Sequence, residues 1–223
     1  PPRSTLFPYT TLFRSAGNVR SIVNAVEKLG GAIKPIRRPS DILEADRLLF
    51  PGVGNYENMI QSLYRDGYID PLREYLSQDR PFFGICLGMQ ALFEGSEENS
   101  SGLDGIGIFK GRVKRFNTRL PVPPIGWNGV HLRKDSPVFN KIPPEARFYF
   151  VHSYHVTADD PSVILTTTDY GYEFVSGVQQ GNIIGTQFHP EKSGSHGVRL
   201  LENFMGLTDL KPIRSLNIRG KGL

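Results

Sequence analysis

The single cysteine of the chain lies within Pro81-Phe82-Phe83-Gly84-Ile85-Cys86-Leu87-Gly88-Met89-Gln90. An apolar run leading into Gly-X-Cys-X-Gly, followed by a helical stretch, is the pattern of a nucleophile elbow. A strand ends, the chain turns sharply, and the nucleophile sits at the head of the next helix. Glycines flank Cys86 because the turn is tight and the backbone crowded. A helix N-terminus favours a thiolate and offers backbone N–H groups, that of Leu87 first, to a developing oxyanion. Far along the chain comes Gly185-Thr186-Gln187-Phe188-His189-Pro190-Glu191. The chain must leave its strand at Pro190, so a carboxylate two residues past the imidazole can swing back onto it. His189 is then the base and Glu191 its orienter. Hydrolysis of a carboxamide is the chemistry this set suggests. Singly, each residue has a plainer reading. A lone cysteine is commonly a small buried hydrophobe, His189 could be a core or loop histidine, and Glu191 a solvated charge. Their joint arrangement carries the signal.

The elements that must position these groups read as an α/β domain. With 223 residues, one domain with a sizeable core is expected. Val19, Ile22, Val23, Val26 and Leu29 recur at helical spacing, and Gly30-Gly31 stops that helix. Residues 32–36 and 47–50 read as strands, with a brief helical turn over 41–45 between them. Residues 56–78 read as helix, broken near Gly67 and Pro71. Phe82 to Ile85 is the strand feeding Cys86, and residues 90–93 continue the helix after it. Alternating strands and helices predict an open, mostly parallel sheet flanked by helices, with sites at the carboxyl ends of strands. Short strands at 113–116, 147–151, 163–166 and 183–186 predict a smaller antiparallel or mixed extension, and 198–205 a last helix.

Charge and composition exclude several classes. The formal net charge is +4. Arg3, Arg14, Lys211, Arg214, Arg219 and Lys221 supply six positive charges at the two ends, which leaves −2 for residues 16–210. No basic stripe interleaved with aromatics appears, so nucleic acid is not an expected partner. No apolar stretch reaches about 18 residues, so no transmembrane helix is expected. One cysteine allows no internal disulfide and points to a reducing compartment, the cytoplasm or, in a plant, the plastid.

On Gly84-Ile85-Cys86-Leu87-Gly88 and His189-Pro190-Glu191 the chain resembles the class I, triad-type glutamine amidotransferases. The resemblance implies Cys86 as nucleophile, His189 as general base and acid, and Glu191 as orienter. Gln90 and Gly54 fall where the family meets glutamine, although Gln90 also reads as a helix-surface residue. Ala16-Gly17-Asn18, Pro51-Gly52-Val53-Gly54-Asn55-Tyr56, Ile125-Gly126-Trp127-Asn128 and Tyr149-Phe150-Val151-His152-Ser153-Tyr154 narrow the likeness. They resemble the amidotransferase subunits of imidazole glycerol phosphate synthase over about residues 16–207. That likeness implies an oxyanion hole from Leu87 and the Gly52-Val53 segment. It also implies a cyclase partner, a β/α barrel that takes up the ammonia in histidine synthesis, and a partner face around Asn18, Trp127 and Tyr149. No metal or organic cofactor is implied. Another class I amidotransferase, a Cys–His hydrolase and a silent partner-binding scaffold remain alternatives.

The two ends depart from this pattern. The family opens on a hydrophobic strand and an aromatic-Gly-Ala/Pro-Gly-Asn turn, whereas here Arg14-Ser15 precede Ala16-Gly17-Asn18. Residues 1–15 read as a leader foreign to the domain, with residues 1–10 unpacked and residues 11–13 available as an edge or first strand. Residues 208–223 read as a basic tail or linker toward a missing cyclase domain, as in relatives that fuse the two on one chain.

Overall fold

The computed structural model describes residues 4–8 and 16–206. Its first four strands are β1 (Ser4–Pro8), β2 (Ala32–Ile36), β3 (Leu48–Gly52) and β4 (Phe82–Cys86). Further along come β5 (Phe93–Ser96), β6 (Phe109–Arg115), β7 (Ile125–Gly129), β8 (His131–Leu132) and β9 (Arg147–Val151). The last four are β10 (Tyr154–Ala158), β11 (Ile164–Asp169), β12 (Glu173–Gln180) and β13 (Ile183–Thr186). Helices are α1 (Ala16–Lys28), α2 (Ser40–Leu43), α3 (Tyr56–Arg65), α4 (Ile69–Ser77), α5 (Leu87–Gln90) and α6 (Gly194–Gly206).

The main sheet runs β2-β1-β3-β4-β13-β12-β10-β6-β5, with β11 and β8 added beyond β12. The run from β2 to β13 is parallel; β13-β12, β12-β10 and β10-β6 are antiparallel. A separate antiparallel pair joins β7 to β9. This is the α/β class read from the sequence, with a parallel core and an antiparallel extension.

Strand β4 is buried along its whole length because both faces are covered. Phe82 joins Leu48 and Phe50 under α3 and α4, whereas Phe83 and Ile85 join Leu49 and Ile184 under α1 and α6. Alternation along β3 and β4 therefore feeds two cores on opposite faces of one sheet. Helix α1 turns Ile22 and Val26 into the second core, as its spacing predicts.

Three expectations are corrected. First, Pro71 does not break the helix over 56–78. The break is at Gly67, whose φ of 73° lets the N–H of Tyr68 reach Leu63 O at 2.8 Å. Pro71 sits in the first turn of α4, where a missing N–H costs nothing. Second, the helix after Cys86 ends at Gln90. Phe93 instead opens β5 and packs edge-on against Phe109 at 5.7 Å. Third, residues 4–8 are not an unpaired leader. They form β1, paired in parallel with β2 and β3 inside the sheet. Thr11 to Phe13 and the tail over 208–223 lie outside the described residues. Among the described residues no helix is long and apolar enough to cross a membrane.

Candidate active site

Strands β3, β4 and β13 are neighbours and run parallel, with Gly52 opposite Cys86 and Thr186 opposite Ile85. Their carboxyl ends converge, and residues that follow them meet at one place. Cys86 ends β4 with φ 56° and ψ −110°, an unfavourable region for a side-chain-bearing residue. The turn after it is unusually tight. A Cβ on Gly88 would lie 1.8 Å from Phe50 O, and one on Gly84 would lie 2.5 Å from Gly88 O. Both glycines are thus required by the approach of α5 to β3 and β4. Helix α5 is one turn long, so it brings little macrodipole to the sulfur. The charged group that meets the sulfur is His189, as the sequence predicts.

His189 follows β13; its side chain is 2% exposed and that of Glu191 1%. His189 Nδ1 donates to Glu191 Oε1 at 2.8 Å, which leaves Nε2 for the sulfur. Burial by itself pushes the imidazole pKa down. The charge and hydrogen bond of Cys86, then Glu191, outweigh it, and the value rises to about 10. Near neutral pH the arrangement is an imidazolium held between a sulfur and a carboxylate. The imidazolium can give a proton to a leaving group, and the sulfur can attack a carbonyl carbon.

A cavity of about 360 Å3 opens at this point, lined by Val53, Gly54, Cys86, Leu87, Gln90 and His189. Glu98, Pro123 and the run Val151 to Tyr154 line its other side. Gly52 does not line the cavity but packs against Leu87, which does. Gly54 has φ 101°, which only glycine adopts readily. The cavity therefore gathers Cys86, His189, Val53, Gly54, Leu87 and Gln90, with Glu191 behind His189.

The expected partner face lies elsewhere. Trp127 on β7 is 46% exposed and meets Tyr149 on β9 edge-on at 6.3 Å. Tyr149 O accepts from the N–H of His189 at 2.9 Å, and the N–H of Tyr149 donates to Ser193 Oγ at 3.0 Å. That face thus backs directly onto the His189 loop. Asn18 falls in α1, and its side chain lies outside the described residues.

Several groups at or behind the cavity escape a reading of the sequence. Gln187 is fully buried and donates from Nε2 to Cys86 Sγ at 3.5 Å. His152, 7% exposed, donates from Nδ1 to Tyr154 O at 2.7 Å; its Nε2 is buried with no partner among the described residues. Burial lowers its pKa to about 3, so it is neutral. Glu98 accepts from the N–H of Tyr56 at 3.0 Å. A polar Gln187 in the apolar run Ile183 to Phe188, spaced two residues from His189, was a legible signal. Glu98 offered none, because only the fold brings it there. Among the described residues no cluster of three or more His, Cys, Asp or Glu could hold a metal ion.

Residues 15–207 match the family model for glutamine amidotransferase class-I. The chain is 45% identical over 197 residues to the imidazole glycerol phosphate synthase subunit HisH of Pseudomonas putida, covering 85% of this chain and 92% of that one. It is 45% identical over 200 residues to the chloroplastic imidazole glycerol phosphate synthase hisHF of Arabidopsis thaliana. There it covers 88% of this chain but only 33% of the relative, about a third of its length. A crystal structure of a glutamine amidotransferase superposes with a TM-score of 0.68 at 18% identity, covering 92% of this chain and 97% of that one, a likeness of fold. By the model match and these identities, the chain belongs to the class-I glutamine amidotransferase family.

Proposed function

We propose that the chain is the glutaminase half of an imidazole glycerol phosphate synthase, hydrolysing glutamine and passing ammonia to a cyclase in histidine biosynthesis. The observation that carries this reading is the meeting of Cys86 and His189 at one cavity, with Glu191 bonded behind His189, in a chain whose relatives bear that name.

Glutamine enters with its side-chain carboxamide at Cys86. Its α-ammonium suits the carboxylate of Glu98, which lines the cavity with Gln90. The thiolate attacks the carboxamide carbon, and the oxygen takes the electron pair. The N–H of Leu87, free of any intrahelical partner by its position, and an N–H from Gly52-Val53 hold that oxyanion. Collapse expels the amide nitrogen, which takes its proton from His189 and leaves as ammonia. A γ-glutamyl thioester remains on Cys86. His189, now neutral, removes a proton from water, and the hydroxide releases glutamate. Glu191 holds the imidazole in the orientation both steps need.

Ammonia would reach the cyclase from the face bearing Trp127 and Tyr149, on the far side of the His189 loop. Glutamate release by the chain, alone and with a cyclase subunit, tests the reading. Turnover with the wild-type chain that vanishes in Cys86→Ala is expected. A chain that stays silent with the cyclase and its substrate present would sink the proposal in favour of a scaffold.

A further inference from the structure

Gln187 lies between Cys86 and Gln90, and the direction of its side-chain hydrogen bonds is set by one backbone carbonyl. Tyr154 O can only accept. It accepts from Gln90 Nε2 at 3.1 Å, which turns the Gln90 amide nitrogen toward it. The second hydrogen of that nitrogen goes to Gln187 Oε1 at 3.0 Å. With its oxygen so engaged, Gln187 must present its own nitrogen to Cys86 Sγ, at 3.5 Å. Both hydrogens of the Gln90 amide are spent, and its Oε1 is buried without a partner among the described residues, on a residue that lines the cavity. The same Tyr154 carbonyl accepts from His152 Nδ1, which leaves His152 Nε2 as a second bare acceptor. One oriented chain therefore runs from the β9–β10 loop through two buried amides to the nucleophile.

We propose that Gln187 is a positioning residue for the glutaminase reaction, holding the Cys86 sulfur at one end of its amide and the amide of the cavity-lining Gln90 at the other. The proposal rests on the glutaminase reading. A buried donor aimed at sulfur favours the charged nucleophile and restricts its rotamer. A buried acceptor on Gln90 Nε2 fixes the orientation of the amide of Gln90, a residue that lines the cavity. The reverse orientation of Gln90 would set its oxygen against Tyr154 O and Gln187 Oε1.

The test uses the full chain with a cyclase subunit, comparing wild type with Gln187→Glu and Gln187→Met at pH 8. Glutamine KM and kcat, the rate of iodoacetamide alkylation and the melting temperature are measured. Cys86 is the single thiol, so alkylation reports it alone. Gln187→Glu keeps an acceptor for Gln90 but replaces the donor facing sulfur with a negative charge. Its kcat and alkylation rate should fall about 100-fold while KM stays within about twofold. Gln187→Met loses both ends, so alkylation should slow about tenfold and KM rise about fivefold. A merely structural role predicts equal losses in both variants, tracking the melting temperature, with alkylation sped by unfolding; that pattern would overturn the proposal. Wild-type alkylation and KM in both variants would overturn it as well. A wild-type chain that never turns over glutamine would instead remove the glutaminase reading, and alkylation would still decide whether Gln187 holds the sulfur.

Discussion

Replacing Gly88 by alanine adds one methyl group where the fold has no room for it. Its Cβ would sit 1.8 Å from Phe50 O and 2.9 Å from Phe50 C, backbone atoms of the neighbouring strand β3. Ordinary contact begins near 3.4 Å, so α5 would have to retreat from β3 by about 1.6 Å. Gly88 has no positive φ, so backbone conformation adds nothing to that cost. Overpacking of this kind costs about 1–3 kcal/mol, a fall in melting temperature of roughly 2–12 °C for a chain of this size. The retreat carries Cys86, Leu87 and Gln90 with it. A displacement of about 1 Å at reacting groups costs about 100-fold in rate, so glutamine turnover should fall at least that far. Gly129→Ala is the control. A Cβ there meets nothing within 4 Å, and its φ is ordinary. It should change stability by less than about 0.5 kcal/mol and leave turnover intact. Thermal unfolding and glutamate release decide the matter. Wild-type stability and turnover in Gly88→Ala would refute the claim that contact between α5 and β3 sets the elbow.

Further outcomes are expected at the same site. Cys86→Ala should abolish glutamate release, and a glutamine-analogue electrophile should label Cys86 alone; labelling at full rate in His189→Ala would argue against a Cys–His pair. The His189 pKa stands above its ordinary 6.5, at about 10, so its contribution to stability should be full below pH 6.5 and lost as pH rises toward 10. Cys86→Ala should lower the His189 pKa, read from imidazole NMR shifts, because burial then meets only Glu191. Glycines at 52 and 54 let the Val53 peptide plane rotate. If a cyclase and its ligand turn that N–H into the oxyanion hole, they should raise turnover about 100- to 1,000-fold over the free chain. Equal turnover by the free chain, the chain with cyclase, and both with the cyclase ligand would leave a constitutive glutaminase. Deleting residues 1–8 should lower the melting temperature, since β2 and β3 lose their common neighbour; an unchanged value would show β1 dispensable.

What the sequence alone determined is local. Cys86 between two glycines, Glu191 two residues past His189 with Pro190 between, and the alternation of Leu48, Leu49 and Phe50 all act through neighbours along the chain. Such patterns are legible because backbone geometry fixes where residues a few positions apart must point. The parallel α/β core followed from the same short-range rules. Tertiary contacts decided the rest. The stretch Leu87 to Phe93 has helical character, yet the N–H of Ile106 binds Ala91 O and that of Phe109 binds Leu92 O, drawing Phe93 into β5. Residues 4–8 carry no clear pattern of their own, and pairing between β2 and β3 makes them a strand. Glu98 reaches the cavity only because β5 leads it there. The orientation of the Gln90 and Gln187 amides depends on Tyr154 O, more than 30 residues from either. A hydrogen bond's direction is a property of both partners, so no single stretch of sequence contains it.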